Sequence, residues 1–360
     1  MKNNVVKVTD YSISLSESQI IKGFAICAML WHHLFLDHRE YGQTAFSLAL
    51  TGKICVALFV FISGYGMTIQ YEKTKQTENT KINLGQIVKY LAKRYAKFYL
   101  NYWVIFCITV PLGVLVFNRS LDDAYGLNCC IVKNFVMDFW GLLGTASYNI
   151  TWWFNRLILV LWLLFPMFYW CMKRKIVAIM VLILLYFNPD GVLDVLKFMD
   201  SKLPTYAVVY AVGIFMAVHK DRINKCLNKI DLIIMMPLLL LVTVGLLYIR
   251  NHYTIPCFFG YAVDPFVAIF LSLSVVALCR HTNRKLHFFE YLGRHSMNIY
   301  MIHTFIFFYF FSDIVYAFKY SVLIFLSLLL SSLLFSVGIE YLKKIWKFYW
   351  IQEKILVMFK

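Results

Sequence analysis

Charge is scarce in this sequence, and acidic charge is scarcest: 15% of the 360 residues are charged, and Asp and Glu together number 19. Soluble domains are about 25% charged. A chain with so little charge and 61% hydrophobic residues cannot cover itself with a water-compatible surface. That excludes a soluble globular fold, and it excludes disorder too. Paired-cysteine motifs are also missing. There are nine cysteines but no CxxC, and most of them (Cys27, Cys55, Cys107, Cys171, Cys257 and Cys279) lie inside apolar runs. A free thiol there behaves as a small hydrophobe, and the adjacent Cys129 and Cys130 are poor disulfide partners. Neither a disulfide framework nor a metal or redox centre is supported. No cleavable signal peptide is apparent: the first 17 residues are polar, and the first apolar run reads as a retained span. No direct or inverted repeat relates the two halves.

What is present is hydrophobic sequence in span-length pieces, with a mean hydropathy of +0.67. Apolar runs fall at 20–36, 51–70, 99–118, 153–171, 176–188, 204–219, 232–249, 257–279, 291–311 and 321–341. A helix crosses the hydrocarbon core with about 20 residues, and only helices or closed barrels satisfy their backbone there. The expected fold is therefore an all-α polytopic membrane protein of about ten transmembrane helices. It forms one domain over 1–360, with a short N-terminal segment 1–17 and a tail 342–360. The run at 176–188 is short for a span, and 119–150 is half apolar and reads as interfacial. Loop charge sets the orientation. With the N-terminus inside, 24 of the 35 Lys and Arg fall on the cytoplasmic side and 7 on the outer side. This bias places both termini in the cytoplasm. The net charge of +16 is thus parcelled into loops facing membrane lipid, and nucleic acid is not an expected partner.

An ionisable side chain within a span is a functional candidate. Lys22 and His33 of the first span are 11 residues apart, so they share one helical stripe with a rise of about 16 Å between them. His32 points about 100° away. Two readings stand: Lys22 snorkels to headgroups and His33 is an interfacial hydrogen-bonder, or the two act together. In the ninth span Ser296, Tyr300 and His303 also form one stripe, which suits helix–helix hydrogen bonding as well as catalysis. Lys89, Lys93, Arg94 and Lys97 form a basic face before the third span, fit to grip anionic lipid or a ligand's phosphates. Arg156, beside Asn155, is expected to pair with an acid such as Asp264 or to reach the outer interface. Asn118 and Asn149 open two N-x-S/T sequons on the expected outer side.

Taken together, these segments resemble the acyltransferase-3 family of multispan membrane O-acyltransferases, from about Ile20 to Glu340. The family's first-span Arg, ten residues, His appears as Lys22 and His33. Its F-x-x-S-G-aromatic signature matches Phe61, Ser63, Gly64 and Tyr65. Its R-x-x-R patch appears as Arg94 and Lys97, its W-x(12)-P span as Trp153 to Pro166, and its last motif as Leu292, Gly293, Ser296, Ile299, Tyr300 and His303. Lys at 22 and 97 keeps the charge but loses the bidentate fork of Arg. Ile158 and Leu159 stand where many members carry a Glu, so that Glu has no essential step here.

The resemblance implies transfer of an acyl group, expected to be acetyl, from cytoplasmic acyl-CoA to a hydroxyl of a cell-surface or lipid-linked glycan, without a metal. Lys22, Lys93, Arg94 and Lys97 would hold the phosphates of acyl-CoA. His33 would be the general base or a transient acyl carrier, and Tyr300, Ser296 or Asn155 would stabilise the oxyanion. A bacterial plasma membrane is the expected location. The rival class is a transporter or flippase of a glycan or lipid intermediate, which ten spans with intramembrane Lys and His would also suit.

Overall fold

A computed structural model describes residues 11–78, 84–126, 130–187, 197–229, 232–252, 263–282 and 286–359. Helices α1 (Leu15–Phe35), α2 (Gln43–Gly52), α3 (Cys55–Glu78) and α4 (Leu84–Leu115) come first. Short helices α5 (Leu121–Tyr125) and α6 (Ile131–Phe139) follow, then α7 (Trp153–Leu163), α8 (Phe165–Lys173), α9 (Lys175–Phe187), α10 (Leu203–Val218) and α11 (Lys220–Leu227). The last third holds α12 (Leu232–His252), α13 (Asp264–Thr282), α14 (His287–Arg294), α15 (Ser296–Thr304), α16 (Ser312–Val315), α17 (Ser321–Ile345) and α18 (Phe348–Val357). No strand occurs among the described residues.

Among the described residues, five helical stretches are long and apolar enough to cross a membrane, and seven if each of two bent pairs forms one span. The pairs are α7 with α8, bent by 52°, and α10 with α11, bent by 77°. The first bend falls at Leu164, just before Pro166 in the opening turn of α8, where proline is tolerated. Each of the ten expected runs coincides with helix, although 257–262 lies outside the described residues. Helix α1 is not among the five. It carries Lys22, His32 and His33, and the bundle wraps it instead: Ile20, Ile21, Ala25, Ile26, Leu30, Leu34 and Phe35 are all buried. It begins at Leu15, five residues before its apolar run, because Ser14 and Glu17 form a capping box. Glu17 also pairs with Arg280 of α13 at 3.1 Å.

The ninth run is not one helix. It divides into α14, α15 and a π-helical turn at Phe305–Phe310, with a break at His295, whose Nδ1 lies 2.8 Å from Ser336 Oγ. The division lets α14 press on α1 through glycine. A Cβ on Gly293 would collide with the backbone carbonyl of Gln19, and one on Gly23 with that of Phe289. Beside this junction lies a buried polar cluster. Lys343 Nζ donates to Glu340 at 2.7 Å, to Asn101 of α4 at 2.9 Å and to Asn298 of α15 at 3.3 Å. Lys343 is thus no loop cation, as its place in the tail suggested, but a buried tie among three helices.

The 119–150 stretch folds on a carboxylate. Asp138 accepts from Tyr125 Oη at 2.7 Å and from the Tyr148 backbone N–H at 2.6 Å, and Tyr102 Oη donates to its carbonyl at 2.6 Å. The expected pairing of Arg156 with Asp264 is not formed. Arg156 turns to the 197–202 loop, donating twice to the Met199 carbonyl (2.9 and 2.7 Å) and lying 3.7 Å from Asp200. Asp264, in the first turn of α13, faces the end of α12 and binds Arg250 at 2.5 Å.

Two stability predictions follow from these contacts. Gly293→Val should lower the thermal midpoint in detergent by the equivalent of about 2 kcal/mol or more, as overpacking does, whereas Gly338→Ala, where the added carbon meets nothing, should change little. Burial raises the Asp138 carboxyl to about 6. The folded chain therefore holds that proton to a higher pH than the unfolded chain does. The resulting stability is complete below the ordinary carboxylate value of about 4 and is lost as pH rises through about 6. Between those pH values the midpoint of the wild type should fall relative to that of Asp138→Asn, read by thermal unfolding at a series of pH values.

Candidate active site

A cavity of about 540 Å³ runs between α1, α3, α4, α7 and α15. The α3 residues along its wall run from Phe59 to Lys73, 14 residues apart, which is a depth of about 21 Å for a helix. Its mouth is cationic. Lys22, Lys73, Arg94 and Lys220 line it, and no carboxylate does among the described residues. Arg94 is fixed in place: its guanidinium sits 4.4 Å over the Trp162 ring and donates to Gln70 at 3.3 Å. Trp162 in turn donates to Ser63 Oγ at 2.9 Å. The middle of the shaft is apolar, with Ile62, Phe98, Ile158 and Met297 on its walls.

The deep end is formed by Asn155, Tyr300 and Met301. Tyr300 Oη donates its hydrogen to the Thr151 carbonyl at 2.6 Å, so the phenol has none left for a ligand. Asn155 Nδ2 makes only a weak contact with Met301 Sδ at 3.7 Å, which leaves its amide the better donor at this end. The backbone of Met301 is held by Trp152 Nε1 at 3.1 Å and Asn149 Nδ2 at 3.3 Å. Ser296 lines the wall one turn nearer the mouth.

His33 does not line this cavity. It is partly exposed, with its ring 5.1 Å from His303 and 5.2 Å from His32 between centroids. His303 is fully buried, and its ring is 6.4 Å from that of Tyr300, which lines the cavity. His32 faces elsewhere, with Nδ1 2.7 Å from the Ala49 carbonyl, as the helical angle requires. The three imidazoles form no metal-binding group among the described residues.

Of the four expected phosphate-binding cations, the structure brings Lys22 and Arg94 to the cavity. Lys93 and Lys97 do not line it, because Arg94 and Phe98, one turn apart, take the inward face of α4. Lys97 is still near enough for its field to reach Lys22. Lys73 and Lys220 were missed, since each sits in a loop-like charged stretch with no local pattern. Gly64 packs against the Tyr210 backbone, while Ser63 and Gly66 line the cavity.

The sequence profile of the acyltransferase domain family matches residues 16–341, an extent that takes in every wall of this cavity except Ser12, Ile13, Ser14 and Leu15 at its rim. The chain belongs to the acyltransferase-3 family. It is a multispan membrane acyltransferase. No curated protein and no solved structure matches the chain. For this acyltransferase the Asn149 sequon is a structural element. Asn149 is fully buried, and its Oδ1 accepts from the Thr151 N–H at 3.0 Å and Thr151 Oγ1 at 2.7 Å. Expressed in a glycosylating host, it should carry no glycan at Asn149 by mass spectrometry. Asn149→Ala should cost about 1–2 kcal/mol of stability through the lost cap.

Proposed function

We propose that this acyltransferase moves an acyl group, acetyl in the first instance, from cytoplasmic acyl-CoA to a hydroxyl of a cell-surface or lipid-linked glycan. The observation that carries the proposal is the cavity: four cations without a carboxylate at its mouth, an apolar shaft, and an amide at its end beside the His303–His33 pair. Coenzyme A is a polyanion with a long thin arm ending in a thioester. Arg94, with the planar fork suited to phosphate, and Lys22, Lys73 and Lys220 would hold the anionic head. The shaft would take the arm, and the acyl carbonyl would meet the Asn155 amide.

An alcohol is a weak nucleophile at neutral pH, and a neutral imidazole is suited to take its proton. His33 is that base in the proposal. The acceptor oxygen attacks the thioester carbonyl, negative charge collects on the carbonyl oxygen facing Asn155, and the C–S bond breaks to release the thiolate, which is reprotonated. The partial exposure of His33, away from the described lining of the cavity, fits an acceptor arriving from the other side of the membrane. The excess of Lys and Arg on one side supports the cavity mouth being cytoplasmic, with the span count near ten and the location a bacterial plasma membrane.

The test is transfer of radiolabelled acetyl from acetyl-CoA into glycan or lipid in membranes that contain the acceptor pool. Label should appear with the wild type and fall at least about 100-fold with His33→Ala. Arg94→Ala should raise the KM for acetyl-CoA about tenfold, the loss of one charge-assisted phosphate contact, and leave the acceptor KM within about twofold. Equal label from wild type and His33→Ala would remove His33 from the chemistry.

A further inference from the structure

A catalytic imidazole is normally held in one orientation and tautomer by a partner, most often a carboxylate. No carboxylate touches His33 among the described residues, and the group that faces it is another imidazole. His303 approaches from α15 with 5.1 Å between ring centroids and the ring planes inclined at 41°, in ring contact without a hydrogen bond between the two as they stand. The remaining neighbours of the His33 ring are His32 on the same helix and Phe307 on the π-helical turn, at 6.3 Å.

The tautomer of His303 is set by its surroundings. Its Nδ1 lies 2.8 Å from the Tyr300 carbonyl, an acceptor only, so Nδ1 carries the hydrogen and Nε2 presents a lone pair. Thr304 Oγ1 lies 3.3 Å from that Nε2 and 3.0 Å from Thr151 Oγ1, whose own hydrogen goes to Asn149. The Tyr300 that supplies the carbonyl is anchored through its phenol to Thr151, so the same turn of α15 lines the cavity and orients His303.

We propose that His303 is a positioning residue for His33. Its Nε2 lone pair receives the N–H of His33 when that ring takes the acceptor's proton, orienting the base and sharing the charge until the proton is returned. In the balanced step one proton leaves the acceptor oxygen, the C–O bond forms as the C–S bond breaks, and one proton arrives on the departing sulfur. The inference rests on the acyl-transfer reading above and deepens it.

His303→Asn keeps a short donor for the Tyr300 carbonyl but offers no ring nitrogen to His33. It should lower kcat about 100-fold while leaving the KM for acetyl-CoA within about threefold, a split that a loss of packing would not give. The unaltered enzyme supplies a second readout: its rate in mixtures of H2O and D2O should depend on deuterium fraction in a curve, with two protons in flight, and His303→Asn should make that dependence linear. Activity of His303→Asn within threefold of wild type, or a linear dependence in the wild type, would overturn the inference. If His303→Asn does not fold, the wild-type measurement decides alone. Absence of any transfer by the wild type would remove the acyl-transfer reading itself, whereas transfer that survives His303→Asn removes only the role of His303.

Discussion

An ammonium and two imidazoles on one helix cannot face lipid, and the arrangement of this protein follows from keeping α1 surrounded. Helices α2, α3, α13, α14, α15 and α17 all pack on it. The tightest of these contacts is glycine against backbone, Gly23 on Phe289 and Gly293 on Gln19. Close approach of this kind is how helices associate where lipid removes the hydrophobic drive between them. It also forces the ninth run to break after α14. That break frees α15 to turn its polar stripe toward α7 and the cavity.

The cavity then separates two kinds of chemistry along one helix. Lys22 lies at a cationic mouth, and His33 lies outside the lining, in ring contact with His303. The polar residues between them are not loose side chains awaiting a ligand. Tyr300, Trp152, Asn149 and Thr151 are bonded to one another's backbone or to Met301, and the deep end is consequently rigid. Asn155 is the exception, with only a thioether for its amide.

Much of this was legible in the sequence. Apolar run length located the helices, and the eleven-residue spacing of Lys22 and His33 placed both on one stripe of α1 and turned His32 away. The Ser296–Tyr300 stripe located the cavity wall. What was not legible depends on contacts distant in sequence. Lys73 and Lys220 reach the mouth from separate helices, α3 and α11, with no shared pattern. The sequon at Asn149 looked like a surface site because three residues cannot reveal burial. Arg156 and Asp264 were plausible partners by charge alone, yet each has a nearer one, Asp200 and Arg250. The stripe reading of His303 gave its face but not its neighbour, since the ring opposite it belongs to a helix 270 positions earlier.

The stacking of Arg94 on Trp162, with Trp162 tied to Ser63, bears on how quickly a ligand is captured and released. A long cation free in water must give up its rotamers each time it closes on an anion, at about 0.5–1.5 kcal/mol for a side chain of this kind. Here that loss is incurred once, when the chain folds. A ligand meets a fork already aimed, so selectivity falls to the spacing of the anion's own charges rather than to the flexibility of the protein.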